Sequence, residues 1–143
     1  MADTGYNWGS WAATQLASSD WTAIELAEQT APDISDAISL DGYAAIEVSV
    51  TMTETEAAAL TGDCLIYVLG DADGTNYEEA LDGAFIGNPF YFAATPIVSD
   101  TVRVRFRILA SQFSSIKIGF YNDAGQPLDI TVKHKFATIP VAA

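Results

Sequence analysis

Apolar and polar positions alternate with a period of two in several short runs along the chain, and this alternation is the strongest structural signal in the sequence. Residues 43 to 53 set Ile46, Val48, Val50 and Met52 on one side and Glu47, Ser49, Thr51 and Thr53 on the other, which predicts a half-buried β-strand. The run 101 to 109 repeats the pattern more sharply, with Val102, Val104, Phe106 and Ile108 opposed to Arg103, Arg105 and Arg107. Residues 115 to 121 alternate again, and after Pro127 the residues Leu128, Ile130, Val132 and His134 share one parity. Cys64 to Leu69 is continuously apolar and suits a central strand. Pro89 cannot donate to a sheet ladder, so the aromatic stretch that follows it predicts a strand beginning at Phe90.

Between these runs lie turn signals: Ser19-Asp20, Pro32-Asp33, Asp41-Gly42, Asp73-Gly74, Thr95-Pro96 and Asn122 to Gly125. The stretch 54 to 63, with Glu54, Glu56 and Leu60, is long enough for two helical turns at most and is expected to be a loop. No segment offers the helical crossover that a parallel sheet needs. The expected fold is therefore all-β, an antiparallel β-sandwich, jelly-roll-like, of about seven or eight strands. Residues 1–20 read as an aromatic-containing N-terminal arm, rich in Gly, Ser, Ala and Trp, and residues 21–143 as a single sandwich domain.

Composition changes this picture mainly through charge. In 143 residues the chain carries 19 acidic groups against 6 Lys and Arg, a formal charge of -13. The distribution is uneven, since residues 1 to 102 hold 17 of the acids and no Lys or Arg at all. Such acidity argues against sequence-independent nucleic-acid binding, which depends on clustered cations. It leaves room for a basic face on one subunit to meet an acidic face on another. There is no basic-then-apolar leader and no long apolar run, so neither a signal peptide nor a membrane span is expected.

Candidate chemistry is sparse. Cys64 is the sole cysteine, which excludes an internal disulfide and reads as an inert core thiol. His134 is the sole histidine, in a Lys-His-Lys run, and no nucleophile with a base can be assembled around it. Asp71, Asp73, Asn76 and Glu78 cluster enough oxygen ligands to raise calcium, but they do not fall at the spacing of the calcium-loop motif, so a tight solvated turn is the simpler reading and no cofactor is expected. Arg103, Arg105 and Arg107 on one strand face repel one another unless carboxylates, water or a partner meet them. Together with Trp8, Trp11 and Trp21 they are the candidate contact residues, tryptophan being favoured where burial and a polar handle coincide.

The segments Ile38–Val50, Tyr67–Glu78, Phe106–Leu109, Ser115–Ile118 and Asn122–Lys133 resemble a group of small virion structural proteins of tailed bacteriophages, over residues 36 to 135. That resemblance implies a non-enzymatic virion protein: a capsid decoration or cement protein first, a tail or fibre attachment component second. It implies a homo-oligomer, a trimer among the arrangements, docked on the major capsid protein or another virion protein. It supplies no catalytic residues. A carbohydrate-binding module is the alternative, using the same sandwich with exposed aromatics drawn from Trp8, Trp11, Tyr43, Tyr77 and Tyr91. A small hydrolase lacks machinery.

Overall fold

The computed structural model describes residues 5–13, 24–26, 33–71, 77 and 90–139. Among the described residues, eleven strand segments build two antiparallel sheets. The long ones follow the alternating runs: β6 (Ala45–Thr53), β7 (Cys64–Gly70), β8 (Phe90–Ala94), β9 (Thr101–Leu109), β10 (Ser115–Asn122) and β11 (Leu128–Thr138). Five short pieces precede them: β1 (Asn7–Trp8), β2 (Ala12–Ala13), β3 (Ile24–Leu26), β4 (Asp33–Ile34) and β5 (Ile38–Ser39).

In the first sheet β11 pairs with β6 and β6 with β9, while β1, β2 and β3 pair in turn along the other side of β11. In the second sheet β10 pairs with β7 and β7 with β8, while β4 and β5 both pair with β10. The short pieces are thus fragments of two broken edge strands, and each sheet is four strands wide. The chain passes between the sheets after β3, β5, β6, β8, β9 and β10, which is the winding of a two-sheet jelly roll.

Each break has a register cause. From Trp8 to Ala12 the chain advances four residues while β11 advances three, from Ala137 to His134. The surplus residue is a bulge next to Gly9, Ser10 and Trp11. The same surplus occurs between Ile34 and Ile38, which face Gly119 and Ile116. There the buried Ser35 closes the gap: its N–H donates to the Ile118 carbonyl at 2.8 Å and its Oγ accepts the Ile118 N–H at 2.9 Å.

The core lies between the two inner faces. Ile46, Val48, Val50, Met52, Leu128, Ile130 and Val132 from one sheet meet Ile66, Val68, Ile116, Ile118 and Phe120 from the other, all of them buried. Cys64 is buried in the same core, and burial, followed by the nearby charges of Asp63 and Asp123, pushes its thiol up to about 12. At one end, Glu54 is buried with its carboxylate accepting the Glu56 N–H at 2.7 Å and the Ser99 N–H at 2.8 Å. It ties the loop after β6 to the turn before β9, two segments that contain the left-handed residues Ala57 and Ser99.

Candidate functional site

The outward face of the first sheet carries most of the molecule's positive charge. Pairing of β6 with β9 sets Glu47 beside Arg107, Ser49 beside Arg105 and Thr51 beside Arg103. Pairing of β6 with β11 sets the same three residues beside Lys135, Lys133 and Thr131. Because side chains alternate across a strand, all of these project from one face. Five of the chain's six basic residues therefore share one surface, the exception being Lys117.

Glu47 organises one end of that surface. Its carboxylate is nearly buried; Arg107 Nη2 donates to Oε2 at 3.3 Å, and Arg105 Nε lies 3.1 Å from Oε1 without the alignment of a hydrogen bond. One carboxylate between two guanidiniums offsets the repulsion along β9. Trp8 reaches over from the broken edge strand, opposite the buried Ala137, and the Arg107 guanidinium stacks 4.7 Å from its ring centre. Lys135 Nζ sits 5.3 Å from the Trp8 ring and 4.7 Å from the Trp11 ring. The two tryptophans and two of the cations, Arg107 and Lys135, are thus interleaved, as cation–π attraction favours.

Beyond Glu47 the surface sinks into an open groove of about 570 Å³, lined by Trp11, Ser49, Thr51, Arg103, Arg105 and Lys133, with Thr131 on its floor. Ser49, Thr51 and Thr131 are half-buried, whereas Arg103, Arg105 and Lys133 are exposed. Trp11 keeps 39% of its surface open to solvent. The groove thus has a hydroxyl floor, cationic walls and an indole at one side, within the size range of small-ligand sites.

Of the residues singled out in the sequence, Trp8, Trp11, Arg103, Arg105 and Arg107 meet on this face. Trp21 lies outside the described residues, as do Asp73, Asn76 and Glu78. Asp71 is described, and its carboxylate accepts the Ser114 hydroxyl, which with the Ser115 N–H holds it below the usual aspartate range despite partial desolvation. Among the described residues no group of three or more His, Cys, Asp or Glu side chains converges on a point. Tyr43 stacks on Phe136 with ring centres 4.1 Å apart, beside the β1–β11 pairing and outside the groove. Tyr77 donates or accepts a hydrogen bond with Ser115 at 2.6 Å on the second sheet, far in the topology from the groove. Tyr91 belongs to β8, in that second sheet as well.

Lys133 and Lys135 were not among the contact candidates, although their parity with Thr131 marks them as outward residues of β11. Nothing local in the sequence says that β6 separates β11 from β9, and that pairing is what makes one site of two basic strands.

With this geometry in place, the fold finds counterparts among solved structures. The CBM22-1 xylan-binding domain of Paenibacillus barcinonensis Xyn10C superposes with a TM-score of 0.51 at 12% identity, over 96% of this chain and 88% of that one. The carbohydrate-binding module CBM6cm-2 of Cellvibrio mixtus lichenase 5A, solved with cellotriose, gives 0.42 at 10% identity over 92% and 86% of the two chains. Desmodium yellow mottle tymovirus gives 0.38 at 13% identity over 100% and 94%. No protein-family model and no curated protein sequence matches the chain. At 12% identity the likeness to the xylan-binding domain is one of fold alone, an all-β jelly-roll sandwich.

Proposed function

We propose that the chain is a non-catalytic carbohydrate-binding domain whose ligand lies in the groove on the outward face of the first sheet. The observation that carries this reading is the groove itself, where the exposed Trp11 ring stands beside the hydroxyls of Ser49, Thr51 and Thr131. An indole face packs against the C–H face of a sugar ring, and hydroxyls and guanidiniums satisfy its hydroxyl groups. The jelly-roll likeness to a xylan-binding domain supports the reading at the level of architecture. Affinity gel electrophoresis against a panel of soluble polysaccharides tests it. Retardation by at least one of them, lost in Trp11→Ala, is expected; no retardation by any, or retardation indifferent to Trp11, overturns it.

The segregation of charge favours a second reading, in which the same face docks on protein. A basic face on a chain of net charge -13 suits the acidic surface of a neighbouring copy or of a lattice. In that reading the chain is a phage virion component, a decoration or cement protein, tail or fibre element, forming a homo-oligomer such as a trimer. Light scattering decides it: a discrete oligomer that dissociates in Arg105→Glu supports it, and a monomer under all conditions counts against it.

A further inference from the structure

We infer that the ligand of this groove is an anionic glycan, a chain bearing uronate carboxylates, rather than a neutral one; this rests on the carbohydrate-binding reading above. Three observations bear on the choice. The first is where the positive charge sits. Arg103, Arg105 and Arg107 flank β6 on one side and Lys133 and Lys135 on the other, while the carboxylates that the strand register of the described residues places on that face are Glu47 and, at the far end, Asp129 and Glu25. In a chain with 19 acidic residues, this face stays positive.

The second observation is which cations are already committed. Glu47 holds Arg105 and Arg107, and the Trp8 and Trp11 rings hold Lys135. Arg103 and Lys133 have neither a carboxylate nor an aromatic partner among the described residues, and both line the groove. A neutral sugar meets a guanidinium and an ammonium only through its hydroxyls, which leave the charge of both uncompensated. A carboxylate rewards both, with bidentate geometry at the arginine.

The third observation is shape. Strands lie about 4.8 Å apart, so the β9 and β11 walls stand about 10 Å apart across the β6 floor, the width of a single extended sugar chain. Arg103 on one wall and Lys133 on the other are the cations left to meet the acidic groups of such a chain. The recessed floor of Ser49, Thr51 and Thr131 gives the sugar hydroxyls partners that a protruding acidic protein side chain has no need of. A net charge of -13 repels long polyanions such as nucleic acids that overhang the face.

Calorimetric titration of the full chain with three oligosaccharides of equal length tests the inference: an oligogalacturonate, a xylo-oligosaccharide and a carrageenan oligosaccharide, which carries sulfate and no carboxylate. The oligogalacturonate is expected to bind at least tenfold tighter than the neutral oligomer. The double variant Arg103→Gln, Lys133→Gln is expected to lose that advantage, bringing the acidic and neutral oligomers to within about twofold of each other, and circular dichroism should be unchanged because both side chains are exposed. Equal affinity for the acidic and neutral oligomers, or an advantage that survives the double variant, overturns the anionic inference and leaves carbohydrate binding standing. Tight binding of the sulfated oligomer alone overturns the uronate assignment. Failure of all three to bind, with a concentration-dependent mass that the double variant abolishes, overturns both readings and makes the face a contact between copies.

Discussion

Single residues hold this sandwich together at points that its alternating pattern does not mark. A side chain added at Gly62 would bring a Cβ within 2.2 Å of the Asp123 carbonyl oxygen, because the loop before β7 lies directly on the β10–β11 turn and Thr61 donates its N–H to the Ala124 carbonyl. Gly62→Ala should therefore destabilise the fold by about 1–3 kcal/mol, the usual cost of overpacking, read as a lower urea midpoint. In the same turn the buried Asn122 accepts the Ala124 N–H at 3.0 Å and donates to the Gln126 carbonyl at 2.9 Å. Asn122→Ala leaves both groups unpaired and should cost about 1–3 kcal/mol. Cys64, with its thiol pushed up to about 12, should resist a thiol reagent such as DTNB at pH 8 and react only as the protein unfolds; rapid labelling of the native chain would contradict its burial. The sequence already marked Cys64 as a core residue through its apolar neighbours, and marked Asn122 to Gly125 as a turn. It carried no sign that Gly62 must stay bare, because the Asp123 carbonyl that forbids a side chain comes from 61 positions further on.

At the scale of elements, the Glu54 contact is where pH acts most directly. Its carboxylate lies below the ordinary 4.5, chiefly through the Ser99 N–H, with desolvation opposing and the N–H groups of Glu56, Ala58 and Ala57 adding to the lowering. Asp71, bonded to Ser114, is lowered in the same sense. A carboxylate whose folded value is depressed contributes its stability in full above the ordinary value and loses it as pH falls through the depressed one. Half-buried His134 is also lowered, by desolvation, so protonating it below its ordinary 6.5 opposes folding too. Stability should thus decline from about pH 6.5 downward and more steeply below about pH 4.5. Urea midpoints between pH 7 and pH 3 check this, and Glu54→Gln, which turns an amide donor toward backbone N–H donors, should lower the midpoint at pH 7 and shallow the acid decline. The strands at this scale were largely readable: Thr101–Leu109 has the bounds its alternation predicts, and β8 begins at Phe90, just after the proline. The broken edges were not, since a strand of two residues has no period and is held only by the backbone of β10 or β11. For the same reason the groove was half readable. The arginine wall shows in β9 alone, whereas the lysine wall requires knowing that β6 pairs with both neighbours.

For the whole molecule, charge and topology set the behaviour. A net charge of -13 on one chain repels itself, and the ion pairs of the solvent-facing Arg105 and Arg107 contribute little in return. Screening should therefore stabilise rather than weaken the fold. The thermal midpoint is expected to rise between about 10 mM and 0.3 M salt, where the Debye length falls from about 30 Å to under 8 Å; a fall in the midpoint would mean that pairs such as those at Glu47 dominate. The jelly-roll winding also leaves β9 as an outer strand of the first sheet among the described residues, nine residues long and unbroken, while the opposite edge is cut into short pieces. An uncut outer strand is a template on which a second chain can crystallise its own backbone. Antiparallel growth from β9 would crowd the arginines of both chains onto one face, so all three oppose such pairing while Arg103 and Arg105 also line the groove. Replacing all three with neutral residues to probe ligand binding would remove that opposition, and the variant's solubility, not its affinity, would be the first property to change.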